Sequence, residues 1–178
     1  MPNWCSNRFE VQGPKERIDI FEKFLNETNG KDWFDYFAAC PEELKNTTAS
    51  FTEEINEELI KKYGASDWYT WNVNNYGCKW NCDAQDWQRP DDETISFWFD
   101  SPWGPPIALY DKITESGLTV FASYHEEGMA FVGEYREGDD ESYEYSDLES
   151  LEDIPEDLVE EWNLRDIIEY YDEEDEDE

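Results

Sequence analysis

The sequence predicts an α+β fold in which one antiparallel sheet is packed by two helices, and three observations carry that expectation. In residues 94–106 (TISFWFDSPWGPP), Ile95, Phe97 and Phe99 alternate with Ser96 and Trp98, the pattern of a strand covered on both faces and central in its sheet. Asp100, Ser101 and Pro102 are expected to end that strand. Pro105 and Pro106 suit the first turn of a helix, and Ile107, Ala108, Tyr110, Lys112, Ile113 and Ser116 follow at helical spacing up to Gly117. The second observation is a short alternating strand with an amphipathic helix behind it near the N-terminus. The third is a further buried strand after Gly117 that leads into a hairpin.

Taken in order, residues 7–12 (NRFEVQ) place Phe9 and Val11 on one face of a first strand that Gly13-Pro14 closes. From Pro14, the residues Ile18, Phe21, Phe24 and Leu25 recur at helical spacing with Ile20 beside them. Glu16, Asp19, Glu22 and Lys23 fill the opposite face, and Asn29-Gly30 ends the helix. Residues 31–68 have poor periodicity and read as an insertion packed on the main unit, with a short helix over 52–63 that turns Ile55, Leu59 and Ile60 inward. Residues 68–82 (WYTWNVNNYGCKWNC) are strand-like, with a bend or bulge near Asn74-Asn75 and Gly77. After the central helix, 118–124 (LTVFASY) reads as a buried strand. Residues 129–135 and 142–145 flank the turn EGDDE as a hairpin at a sheet edge. Residues 155–171 space Leu158, Trp162, Ile167 and Ile168 on a final helix, and DEEDEDE closes the chain as a disordered run. The organisation is therefore an α+β domain over 1–150 and an acidic helix and tail over 151–178. Phe9, Val11, Ile18, Phe21, Leu25, Ile95, Phe97, Phe99, Ile113, Val120 and Phe131 are the expected core.

The 178 residues, 17% of them aromatic with nine tryptophans, supply enough bulk for one well-filled core and argue against global disorder. The net charge of −34 disfavours direct binding to nucleic acid or to an anionic membrane, because like charges repel. It is unevenly spread: residues 134–178 carry 23 acidic against 2 basic side chains, whereas residues 1–133 carry 24 against 11. No apolar run approaches membrane-span length and the N-terminus lacks a signal-peptide pattern, so the expected location is cytoplasmic.

MPNWCSN at the start, CPEEL at 40–44, NYGCKWN at 75–81, the FDSPWGPP segment and HEEGMAFVG together resemble the Api92-like family, also called the YubB ferredoxin-like domain, of phages and conjugative plasmids. Its specificity lies in the order and spacing of these segments over roughly residues 1–140. The resemblance implies a split βαβ, ferredoxin-like core, which the element reading reaches separately as β-α-(insert)-β-β-α-β. It carries over no catalytic activity and no catalytic residue. Tyr76 and Cys78 stand where the family usually has tryptophan and threonine, and the acidic C-terminal extension has no counterpart in the motif pattern.

Constellations that could carry chemistry are sparse. Cys78 and Cys82, on the extended strand expected there, would lie ~13 Å apart by strand rise, too far to share a zinc ion with Cys5, Cys40 or His125, so the four cysteines read as free thiols and no cofactor is expected. His125-Glu126-Glu127 is a candidate acid/base cluster, but with one histidine in the chain an exposed turn is the expected home. Phosphate cradles and EF-hand spacing are absent, and Trp4, Trp80, Trp98 and Trp103 are expected in the core. The expected function is accordingly non-enzymatic: a phage or mobile-element counter-defence inhibitor, of the anti-CRISPR or anti-restriction kind. It would lay an acidic, DNA-mimicking surface on the basic surface of a nucleic-acid-binding host protein. Glu137, Asp139, Asp140, Glu141 and Glu144 on the hairpin are the first candidates for that contact. Glu152, Asp153, Glu156, Asp157, Glu160 and Glu161 on the final helix are the second. The alternatives are a small-ligand or nucleotide enzyme on the same core and a charge that only solubilises.

Overall fold

The computed structural model describes residues 3–47 and 56–176, the stretch 172–176 as backbone alone. Its strands are β1 (Trp4–Gln12), β2 (Gln85–Asp91), β3 (Thr94–Pro102), β4 (Thr119–Glu126), β5 (Phe131–Arg136) and β6 (Asp139–Glu144). They pair antiparallel in the order β2-β3-β1-β4-β5-β6. Helix α1 (Lys15–Thr28) follows β1 and helix α6 (Ile107–Glu115) joins β3 to β4, so the first four strands with these two helices form the split βαβ, ferredoxin-like arrangement, and β5-β6 extends it at one edge.

The period-2 burial of β1 and β3 sets the layers. Phe9 and Val11 of β1 and Ile95, Phe97 and Phe99 of β3 point to one face and are at most 2% exposed. There they meet Ile18, Phe21 and Leu25 of α1, Leu109, Tyr110 and Ile113 of α6, and Val120 of β4. Of the eleven core residues expected from strand and helix periodicity, only Phe131 falls short, being half-buried. Helix α1 ends as its sequence indicates, with Asn29 left-handed at φ 55° and its N–H bonded to the Leu25 carbonyl.

Asn7 is the polar keystone of this face. Fully buried, it donates through Nδ2 to the Cys5 carbonyl and Ser101 Oγ, each at 2.8 Å, and accepts from the Tyr110 hydroxyl at 3.2 Å. Ser101 Oγ in turn donates to the Gly104 carbonyl at 2.8 Å, which fixes the Pro-Trp-Gly connection between β3 and α6. A satisfied buried network of this kind ties strand to strand and strand to helix.

Five expectations need correction. The stretch 68–82 is not a strand: Trp68–Tyr76 forms helix α5, because Asp67 caps it by accepting from Thr70 N at 2.8 Å and Gly77 ends it at φ 88°. These end signals outweigh the β propensity of its aromatic residues. Gly77 is also required sterically, since a Cβ there would come within 3.2 Å of the backbone nitrogens of Ala108 and Ile107. The missing strand is β2, a polar edge strand with irregular register whose exposed QDWQRPD composition gives no alternating signal. Secondly, β3 is second from the edge, with β1 and β4 at the middle of the sheet, and it continues to Pro102 because β1 pairs with it as far as Trp4. Its outer face is only partly covered: Trp98 is 44% exposed and packs edge-on against Trp162.

Thirdly, the expected insertion is core at its start. Trp33 and Phe34 are fully buried, and Trp33 packs against Phe9, Phe97 and Phe99 at centroid distances of 4.9–5.2 Å. Around them lie the short helices α2 (Asp35–Ala38) and α3 (Glu42–Lys45). Helix α4 (Glu57–Tyr63) answers the helix expected over 52–63 from its capping residue Asn56 onward, with residues 52–55 outside the described residues. Fourthly, the final helix is two helices, α7 (Glu156–Glu161) and α8 (Leu164–Glu176), because Asn163 adopts φ 51° and redirects the chain. The break lets Leu158 and Val159 of α7 and Leu164 and Ile168 of α8 join Val132 and Tyr145 in a second cluster on the other face of the sheet. Lastly, the terminal acidic run is helical through 172–176 as the end of α8.

Candidate functional site

The hairpin between β5 and β6 turns on Glu137 and Gly138, both at positive φ (53° and 108°), the signature of the tight two-residue turn whose twist matches its strands. It lies at a sheet edge as expected, but only Glu137 of the predicted acidic group is in the turn. Asp139, Asp140, Glu141 and Glu144 are strand residues, and strand alternation divides them. Asp139 and Glu141 pair opposite Arg136 and Glu134, on the face that carries the C-terminal helices. Asp140 and Glu144 pair opposite Tyr135 and Phe131, on the α1/α6 face. On that second face the Tyr124 hydroxyl passes over Gly133, where a Cβ would sit 2.4 Å from the tyrosine, and donates to Asp140 Oδ1 at 2.8 Å. Desolvation holds the Asp140 carboxyl above its ordinary range, and burial with the same hydrogen bond pushes the Tyr124 hydroxyl up.

The hairpin and α7 join into one acidic face through Arg136. Its guanidinium lies 2.6 Å from Glu134 Oε2 and 3.8 Å from Asp157 Oδ2, and the Tyr143 hydroxyl donates to Glu141 Oε2 at 2.8 Å. Glu134 and Glu141 stand directly opposite across the strands, a destabilising like-charge pair that Arg136 offsets. Glu134 and Arg136 were not among the predicted residues; the signal for them was their two-residue spacing in FVGEYR, which puts both on one face. Behind the hairpin a groove of about 360 Å³ runs between the sheet and α7, lined by Arg8, Glu10, Ser123, Glu134, Arg136 and Glu161.

Not all the predicted carboxylates remain available. Glu161 pairs with Arg8 at 2.6 Å, and Glu156 accepts both guanidinium nitrogens of Arg165 at 2.9 Å, which holds its carboxyl below the ordinary range. Glu152 and Asp153 sit on a 3-10 turn, Ser150–Asp153, and not on the helix. Glu160 is exposed on α7.

The other candidate constellations resolve differently from expectation. His125 and Glu126 end β4 and are 7% and 2% exposed, not in a solvated turn. Glu126 accepts the backbone N–H groups of Gly128 (3.0 Å) and Met129 (2.6 Å), a structural role that shapes the following turn. His125 Nε2 lies 2.8 Å from the Tyr145 hydroxyl and its ring packs against Tyr145 and Trp162. Burial lowers the His125 pKa from its ordinary 6.5, against the opposing fields of Glu127 and Glu126. A neutral buried ring stabilises the fold fully above 6.5, and that contribution is lost as pH falls from 6.5 toward the depressed folded value. The stability advantage of the wild type over His125→Gln is therefore expected to shrink between about pH 7 and about pH 5. Paired thermal melts across that range check it, and a constant difference would show a ring that titrates alike in both states.

All four cysteines are buried free thiols. Cys78 and Cys82 lie in the loop after α5 and not on an extended strand, so they approach one another: both thiols donate to the Trp80 carbonyl, at 3.4 and 3.7 Å. Burial drives the Cys5 thiol far above its ordinary range. Among the described residues no group of three or more histidine, cysteine or carboxylate side chains is arranged to hold a metal ion. Among the same residues no helix is long and apolar enough to cross a membrane. Trp4, Trp98 and Trp103, expected in the core, are 49%, 44% and 51% exposed, because Trp4 and Trp98 occupy outward positions on β1 and β3 and Trp103 is held at φ 72° in the connection after β3.

The sequence model of a family described as a ferredoxin-like domain in Api92-like protein matches residues 79–177, from within the loop after α5 through the C-terminal helices. The acidic extension thus lies within the matched region, contrary to the motif-based expectation. No curated protein matches the chain. Among solved structures, the protein api92 from Yersinia pseudotuberculosis is 14% identical, with a TM-score of 0.44 over 82% of this chain and 99% of that one. With its split βαβ topology and a family match over more than half its length, the chain belongs to the Api92-like family of ferredoxin-like domains.

Proposed function

We propose that this protein is a phage or mobile-element inhibitor that acts by binding, and that its acidic face occupies the basic surface of a nucleic-acid-handling host protein. The observation that carries the reading is the joined face of β6 and α7, where Asp139, Glu141 and Asp157 are held on ordered elements around Arg136 beside the exposed turn residue Glu137. Two rows are needed. Carboxylates on one face of a strand recur every ~6.6 Å, sparser than the ~3.4 Å per phosphate along one DNA strand, so the hairpin alone falls short and α7 supplies the second row. Fixed charges also avoid the ordering cost that a disordered acidic tail would meet on binding.

The reading predicts competition. A partner captured from host lysate on the full-length protein is expected to be released by duplex DNA or by RNA, and to bind more weakly as salt rises. A partner that stays fully bound under saturating nucleic acid would eliminate mimicry.

A further inference from the structure

We propose that the cleft between Trp4 and Trp80, walled by Asp83 and Asp100, is a binding site for an arginine side chain presented by a protein partner. The cleft has a volume of about 440 Å³, and Ser6 and Gln85 complete its polar rim. It opens where β1 and β2 begin, on the outward face of β1. The register places it at one end of the sheet, beside Pro102, while the Glu137-Gly138 turn lies at the other, beyond Phe121 and Arg136. The site is therefore separate from the acidic face and does not rest on the proposed mimicry.

Its chemistry selects a cation. Trp4 is half exposed and meets Trp80 edge to face, with ring centroids 6.5 Å apart and planes at 62°. The Trp80 ring already attracts an ammonium, since Lys79 Nζ lies 4.7 Å from its centroid. Beside the indoles, Asp100 uses Oδ1 to accept from Ser6 Oγ at 2.9 Å, and Asp83 uses Oδ1 to accept from Asp32 N at 3.0 Å. Neither carboxylate has a basic partner among the described residues. An anion would be repelled here, and an apolar group would desolvate two carboxylates without pairing them. A guanidinium satisfies both walls at once: its plane stacks on indole, its fork reaches carboxylate, and its alkyl stem lies along the aromatic edge.

The chain contains its own precedent for this combination. Arg8 pairs with Glu161 at 2.6 Å while its guanidinium carbon lies 5.7 Å over the Trp98 ring, so tryptophan and carboxylate already hold an arginine between them further along the same outward face of β1. The cleft is also preorganised. The wall from Asn81 to Ala84 is fastened to the loop after α1 by Trp33 N to the Cys82 carbonyl (3.1 Å), Ala84 N to the Gly30 carbonyl (2.8 Å) and Phe34 N to Asn81 Oδ1 (3.0 Å). Rigid walls lower the ordering cost of binding.

The test follows the indole N–H signals of the full-length protein by NMR during titration with Nα-acetyl-arginine amide, using the neutral citrulline amide as the isosteric control. Trp4→Phe and Trp80→Phe assign the two signals. The arginine derivative is expected to shift both saturably, the citrulline derivative neither. Asp83→Asn combined with Asp100→Asn, both exposed positions, is expected to weaken the arginine response on the order of fivefold, whereas Glu137→Lys leaves it unchanged. Equal shifts with citrulline, shifts at other tryptophans alone, or no saturable response would overturn the proposal.

Discussion

Truncating Phe97 to alanine is expected to lower the free energy of unfolding by about 3–5 kcal/mol, the range for removing a buried aromatic ring when the neighbours cannot close the void. They cannot close it readily here, because the Phe97 ring centroid lies within 5.0 Å of those of both Phe9 and Trp33 and within 6.3 Å of those of Phe21 and Phe99, rings fixed on β1, the loop after α1, α1 and its own strand. Trp33→Ala should cost a similar amount although its segment reads as an insertion. Because the two rings touch, the double variant should fall short of the sum or exceed it, and not add simply. Denaturant unfolding of the two single variants and the double checks this. An unchanged midpoint for Phe97→Ala would remove β3 from the core, and an unchanged midpoint for Trp33→Ala would return residues 31–38 to the surface.

The contrast between those two positions marks how much was legible. Phe97 announces itself by alternation with Phe99 and Ile95, and α1 by its apolar stripe and Asn29 cap, since periodicity and end signals are local. Trp33 and Phe34 sit in a stretch with no period, held by bonds to Asn81 and Cys82 about fifty residues away, which no local pattern can reveal. The misread α5 shows the opposite failure: its aromatic composition is genuine, but Asp67 and Gly77 decide its conformation. At the acidic face, the sequence marked the carboxylates but not their division between two faces of β6, nor the arginines that neutralise Glu156 and Glu161. The exposed tryptophans depart from expectation for a related reason. Apolar composition predicts burial, whereas the outward register of β1 and β3 leaves Trp4 and Trp98 partly covered, Trp4 by the edge-on contact with Trp80 and Trp98 by that with Trp162 between α7 and α8.

Reversing Glu137, Asp139, Glu141 and Asp157 to lysine is expected to slow association with the captured partner by roughly 10-fold to 1000-fold at low salt, the range over which complementary fields accelerate encounter. The choice of residues matters because these four lie on the joined hairpin and α7 face, whereas Asp140 and Glu144 point to the other side of β6. Reversing Glu16, Glu27, Glu93 and Glu115 changes the net charge equally at exposed positions away from that face, and is expected to alter association little. The difference between the two variants should narrow as ionic strength rises and the screening length falls from ~10 Å at 0.1 M toward ~3 Å at 1 M. Association rates of wild type and both variants, measured at low and moderate salt, separate a placed surface from bulk charge. If both variants lose equally, the −34 acts only through its sum; if neither loses, the acidic face is not part of the contact.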